Sequence, residues 1–162
     1  MKATKKRRVY ATVTASLIAA ALLLWLFWPL RFSDMYSVTN GVSLSYTHYK
    51  TDGGSEHYEA VLAPGSPGLD ALGELLGSME YHRTLLTPFS QAHPDIGGEH
   101  QLVIFVAEHG GNTAGIELTD GGLLSIDDRK YDMGLFSNAP ERELVEAVID
   151  AVDWAPVVHS VS

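Results

Sequence analysis

The chain has 162 residues, 46% of them apolar, no cysteine, and a formal charge of −9 at pH 7. The lack of cysteine excludes disulfides, thiol catalysis and cysteine-ligated metal. Five of the eleven Lys and Arg precede residue 9 and all twenty Asp and Glu follow residue 30, so the part after residue 30 carries six cations and a net charge of about −14; such a surface repels DNA and RNA, and nucleic acid is not an expected partner.

Residues 9–30 form an uncharged run of 22 directly behind Lys5, Lys6, Arg7 and Arg8. As a helix the run is about 33 Å long, enough for the ~30 Å hydrocarbon core of a bilayer. Basic residues stay on the cytoplasmic side, so residues 1–8 are expected inside and everything after Leu30 outside. Trp25, Phe27 and Trp28 then reach the outer headgroup level. A cleaved signal peptide is the competing reading. Its apolar core is shorter, and its cleavage site needs small residues where this chain has Trp28, Pro29 and Leu30. The run therefore reads as an uncleaved anchor in the cytoplasmic membrane, followed by a juxtamembrane connection over residues 31–40.

Residues 41–156 read as one extracytoplasmic domain, with 157–162 as a tail. Residues 42–49 alternate Val42, Leu44, Tyr46 and His48 with Ser43, Ser45, Thr47 and Tyr49, the period of a half-buried strand. The turn residues Asp52-Gly53-Gly54 predict a hairpin returning over 57–62. Ser66 as N-cap and Pro67 at the first helical position open a helix carrying Leu69, Leu72, Leu75, Leu76 and Met79. A strand over 81–86 and a Pro- and Gly-rich loop over 87–99 follow.

The run 101–107 is apolar on both faces and is expected to lie centrally in a sheet. Turns at 109–112, 120–122 and 127–128 separate further strands over 114–118, 123–126 and 130–133, and such short connections imply antiparallel neighbours. Asn138 with Glu141 resembles a capping box, and Leu144, Val145, Val148, Ile149 and Val152 form one apolar helical stripe. The order β-β-α-β-β-β-β-β-α gives an α+β fold: a two-layer domain, mainly antiparallel sheet with two amphipathic helices.

Seven histidines all follow the apolar run. His48 and His57 fall on paired strands and, facing one side with Glu56 or Glu59 near, would be metal candidates. Otherwise they are ordinary half-exposed strand residues, the reading preferred here. His93, His100 and His109 are scattered, and no H-E-x-x-H is present. No serine lies in G-x-S-x-G or S-x-x-K. The glycine pairs match no phosphate-binding loop, and Asp120, Asp127 and Asp128 form no calcium ladder. No catalytic residue, cofactor or dedicated metal is expected.

The stretch 116–131, with a strand, an Asp120-Gly121-Gly122 turn, Ile126-Asp127-Asp128 and a Tyr131-bearing strand before a closing helix, resembles the ending of small, uncharacterised, membrane-anchored extracytoplasmic domains of Gram-positive bacteria. The resemblance covers about a third of the chain. It implies this layout and no activity.

The expected function is a single-pass, non-catalytic binding module in a bacterial envelope, with a protein or envelope component as partner. The alternative is a membrane-tethered hydrolase or metal-dependent enzyme using histidines and carboxylates of the external domain.

Overall fold

In the computed structural model, which describes residues 2–89, 98–108, 113–134 and 137–157 and their side chains outside 2–9 and 108, the apolar run forms helix α1 (Lys2–Phe27). Its 18-residue window Tyr10–Phe27 is long and apolar enough to cross a membrane, and none of it is buried. The helix ends earlier than the run. Trp28 N–H makes a last turn to Leu24 C=O (2.9 Å), and Pro29 has no N–H to continue.

Leu30 therefore lies beyond α1. It opens β1 (Leu30–Arg31), antiparallel to β5 (Glu80–Arg83) with Leu30 opposite Tyr81 and Arg31 opposite Glu80. Residues 31–40, read as a connection, also hold the short helix α2 (Phe32–Met35) and β2 (Tyr36–Ser37). Phe32 and Tyr36 stack with centroids 5.1 Å apart and are buried, which builds the chain leaving α1 into the core.

The hairpin is β3 (Val42–Tyr49) and β4 (Ser55–Leu62), in the predicted order. Helix α3 (Pro67–Gly77) starts as its sequence dictates: Leu69 N–H donates to Ser66 Oγ at 3.3 Å. The remaining strands are β6 (His100–Glu108), β7 (Thr113–Thr119), β8 (Leu124–Ile126), β9 (Arg129–Asp132) and, after helix α4 (Ala139–Ala151), the short β10 (Ala155–Pro156). The sheet order is β1-β5-β9-β8-β7-β6-β3-β4-β10, with β2 beside the end of β6 and every pairing antiparallel. The result is the expected α+β domain. The turn 109–112, His93 and His109 lie outside the described residues.

One face of the sheet holds the core. Leu44, Leu102, Ile104, Val106, Ile116, Leu118 and Leu124 pack with Leu69, Leu72 and Leu76 of α3 and Leu144, Val145 and Val148 of α4. Strand β6 is central, as its apolar run predicts, but among the described residues its two faces are unequally covered: Ile104 is 0% exposed and Phe105 48%. Both amphipathic helices contribute to the same core, and among the described residues no helix packs on the opposite face.

The capping box at α4 does not form. Asn138 makes no cap bond; its Nδ2 donates to Gly121 C=O at 2.9 Å. Gly122, with φ +96°, must be glycine there, since a Cβ would stand 2.3 Å from the Asn138 side chain. Glu141 turns away from the cap. Its Oε1 accepts from Met133 N–H (2.7 Å) and Gly134 N–H (3.4 Å), and the side chain is buried, so it clasps the loop after β9 to α4.

Candidate functional site

Strand parity decides which histidines can meet. In the β3–β4 register His48 lies opposite Glu56 and Thr47 opposite His57, which sends His48 and His57 to opposite faces of the sheet. His57 is on the face opposite the core, where its Nδ1 lies 3.1 Å from Thr47 Oγ1 and its Nε2 3.1 Å from Ser55 Oγ. The pair considered in the sequence is thus not brought together.

His48 instead lies opposite His100 across the β3–β6 pairing. The two rings stack with centroids 4.9 Å apart and 22° between planes. Both belong to the core face, at the end of the strands where that face reaches solvent. Tyr46, next inward from His48, stacks on Tyr58 (5.4 Å) and contacts Trp154 (5.3 Å) and His100 (5.8 Å). An aromatic floor therefore supports the two imidazoles.

Glu99 completes the group. One ligand atom from each of His48, Glu99 and His100 lies within 4.8 Å of the others. Backbone bonds fix Glu99 there: Tyr49 N–H donates to its C=O at 2.8 Å, and its own N–H donates to Asp120 Oδ2 at 3.3 Å. Asp120 Oδ1 accepts from His100 N–H at 3.1 Å, so the carboxylate of the β7–β8 turn caps the start of β6. Gly98 permits this approach; a Cβ there would collide with that same carboxylate.

Each imidazole has an oxygen near Nδ1. His100 Nδ1 is 2.8 Å from the Tyr46 hydroxyl, and His48 Nδ1 is 3.7 Å from Glu56 Oε2. Where the ring proton sits on Nδ1, beside these oxygens, Nε2 is the nitrogen that keeps a lone pair for a cation. Lys50 Nζ lies 2.6 Å from Glu56 Oε1, and Tyr58 OH donates to Oε2 at 3.2 Å. The Lys50 hydrogen bond holds the Glu56 carboxyl below the usual range and raises the Lys50 ammonium. Burial first, then the negative charge around it, pushes the Tyr46 phenol up, so Tyr46 is neutral and keeps its proton.

A hollow of about 330 Å³, lined by His48, Tyr49, Lys50, Thr51, Asp52 and Glu99, opens beside the group. Two imidazoles and a carboxylate suit zinc or a similar borderline ion. His100 and Glu99 were legible only as a scattered histidine and a loop acid. The available signal was parity, since His100 alternates in phase with Leu102 and Ile104 as His48 does with Tyr46 and Leu44.

No protein-family model, curated protein or solved structure matches this chain.

Proposed function

We propose that the protein is a single-pass membrane-anchored module, non-catalytic, whose sheet domain lies outside the cytoplasmic membrane of a bacterium and binds a protein or an envelope component. The observation that carries this reading is α1, no residue of whose window Tyr10–Phe27 is buried, with Leu17 66% and Leu24 66% accessible. The core helix of a soluble domain is mostly buried, whereas this exposed apolar surface suits a bilayer, which supports the anchor. The basic cluster Lys5–Arg8 supports a cytoplasmic N-terminus. The full-length protein should stay with membranes through an alkaline wash and be released only by detergent. A soluble product starting near residue 30 would establish a signal peptide instead.

The His48–Glu99–His100 group favours a second reading, a divalent-metal site in the external domain, with a hydrolytic role if an open position holds an activated water. The first reading expects full-length protein in detergent to carry no stoichiometric zinc. Zinc retained at one per chain, and lost in both His48→Gln and His100→Gln, would put the second reading first.

A further inference from the structure

We infer that the loop following β5, residues 84–89, inserts into the outer lipid interface as a second membrane contact, and that it sets the domain's orientation on the bilayer. The inference rests on α1 being a membrane anchor. Chain direction is its first support. β1 carries the chain away from the end of α1, and β5 runs antiparallel to it. β5 therefore returns toward the bilayer, and its last residue meets the helix end: Arg83 Nη1 donates to Trp25 C=O at 3.4 Å, and the guanidinium lies 5.3 Å from the Trp25 ring centroid. The next residues are Thr84-Leu85-Leu86-Thr87-Pro88-Phe89.

Their composition is wrong for a water-facing loop. Leu85 is 72% exposed, Leu86 48% and Phe89 60%, and at the end of α1 Phe27 is 47% and Trp28 64% exposed. The backbone presenting them is well tied. Thr84 N–H donates to Thr87 Oγ1 (2.7 Å), Leu86 N–H to Thr84 Oγ1 (3.1 Å), and Thr87 Oγ1 to Lys130 C=O (2.5 Å). The polar atoms of both threonines are thus spent inside the loop and on β9, and the apolar side chains are what remains outward. Isolated exposed leucines are ordinary; three apolar side chains held in one loop at the mouth of an apolar helix form a patch.

Charge points the same way. Arg31, Arg83, Arg129 and Lys130, four of the six cations after the apolar run, sit on β1, β5 and β9. The acids of these strands and the adjoining turn are Glu80, Asp127, Asp128 and Asp132, and Glu80 is paired with Arg31 at 3.0 Å. This edge is therefore near neutral, while the rest of the external domain holds two cations and sixteen acids. Lying edge-down keeps the acidic bulk away from anionic headgroups and offers them the basic side chains. The His48–Glu99–His100 group is at the opposite end of the strands and would face away from the membrane.

The cysteine-free chain allows single labels. Full-length Leu86→Cys, Phe89→Cys, Leu22→Cys and Thr51→Cys would each carry an environment-sensitive fluorophore, in vesicles of phosphatidylcholine and phosphatidylglycerol with headgroup-level or acyl-chain quenchers. Labels at 86 and 89 should emit at shorter wavelength than the label at 51 and lose most emission to the headgroup-level quencher. The label at 22 should respond to the acyl-chain quencher, and the label at 51 to neither. If 22 is quenched while 86 and 89 behave like 51, the anchor stands and the loop contact is refuted. If 86 and 89 are blue-shifted but unquenched, the patch is covered by protein, which also refutes it. Failure at 22 would refute the anchor itself.

Discussion

Ile104 and Phe105 are adjacent on β6 and should lose very different amounts of stability on truncation. Ile104 is 0% exposed, opposite Leu44 on one side and Ile116 on the other. Ile104→Ala removes three buried carbons, about 2.4 kcal/mol at ~0.8 kcal/mol each, and the unfilled space raises the loss to about 3–4 kcal/mol. Phe105 is 48% exposed on the face opposite the core, its ring 3.7 Å from where a Gly115 Cβ would be. Phe105→Ala leaves no buried cavity and loses half a side-chain transfer, about 1 kcal/mol. Urea unfolding of the full-length protein in detergent, followed by near-ultraviolet circular dichroism, would measure both. Equal losses would mean that a layer covers the second face. A loss within about 0.5 kcal/mol at Ile104 would mean that the core is elsewhere.

Glu141→Ala should cost about 1–3 kcal/mol in the same assay, because Met133 N–H loses its 2.7 Å acceptor; an unchanged midpoint would refute the clasp. Burial, with nearby Tyr36 and Tyr131, raises the Tyr81 phenol well above its ordinary range. Its contribution is therefore fully present below about pH 10 and lost as pH rises toward the folded-state pKa, and Tyr81→Phe should flatten that alkaline loss of stability without moving the neutral-pH pattern of unfolding. An identical alkaline profile in the variant would show that Tyr81 is not the group responsible.

Local chemistry was legible where one segment settled its own structure. The alternation over Val42–Tyr49 and the Ser66 cap over Leu69 need no distant partner. Long-range pairing was not legible. Nothing near His48 announces that β6, not only β4, will lie beside it, so the His48–His100 contact emerges only once β3 is seated between the two. The two-residue β1 and β2 are too short to show a period, and their pairing with β5 and β6 places them. Asn138 and Glu141 carry the right types and spacing for a capping box, yet tertiary partners, Gly121 and the Met133 backbone, win both side chains. The apolar run of β6 shows the same limit. Hydrophobicity placed it centrally, but whether a second layer covers Phe105 depends on where α3 and α4 pack.

The central claim is a helix across the membrane with the sheet domain outside, and labelling of single cysteines in intact cells tests it most directly. A membrane-impermeant maleimide should modify Thr51→Cys in intact spheroplasts and reach Thr4→Cys only after permeabilisation. Modification of Thr4→Cys with protection of Thr51→Cys would reverse the orientation, and protection of both until permeabilisation would place the whole protein inside and contradict the account.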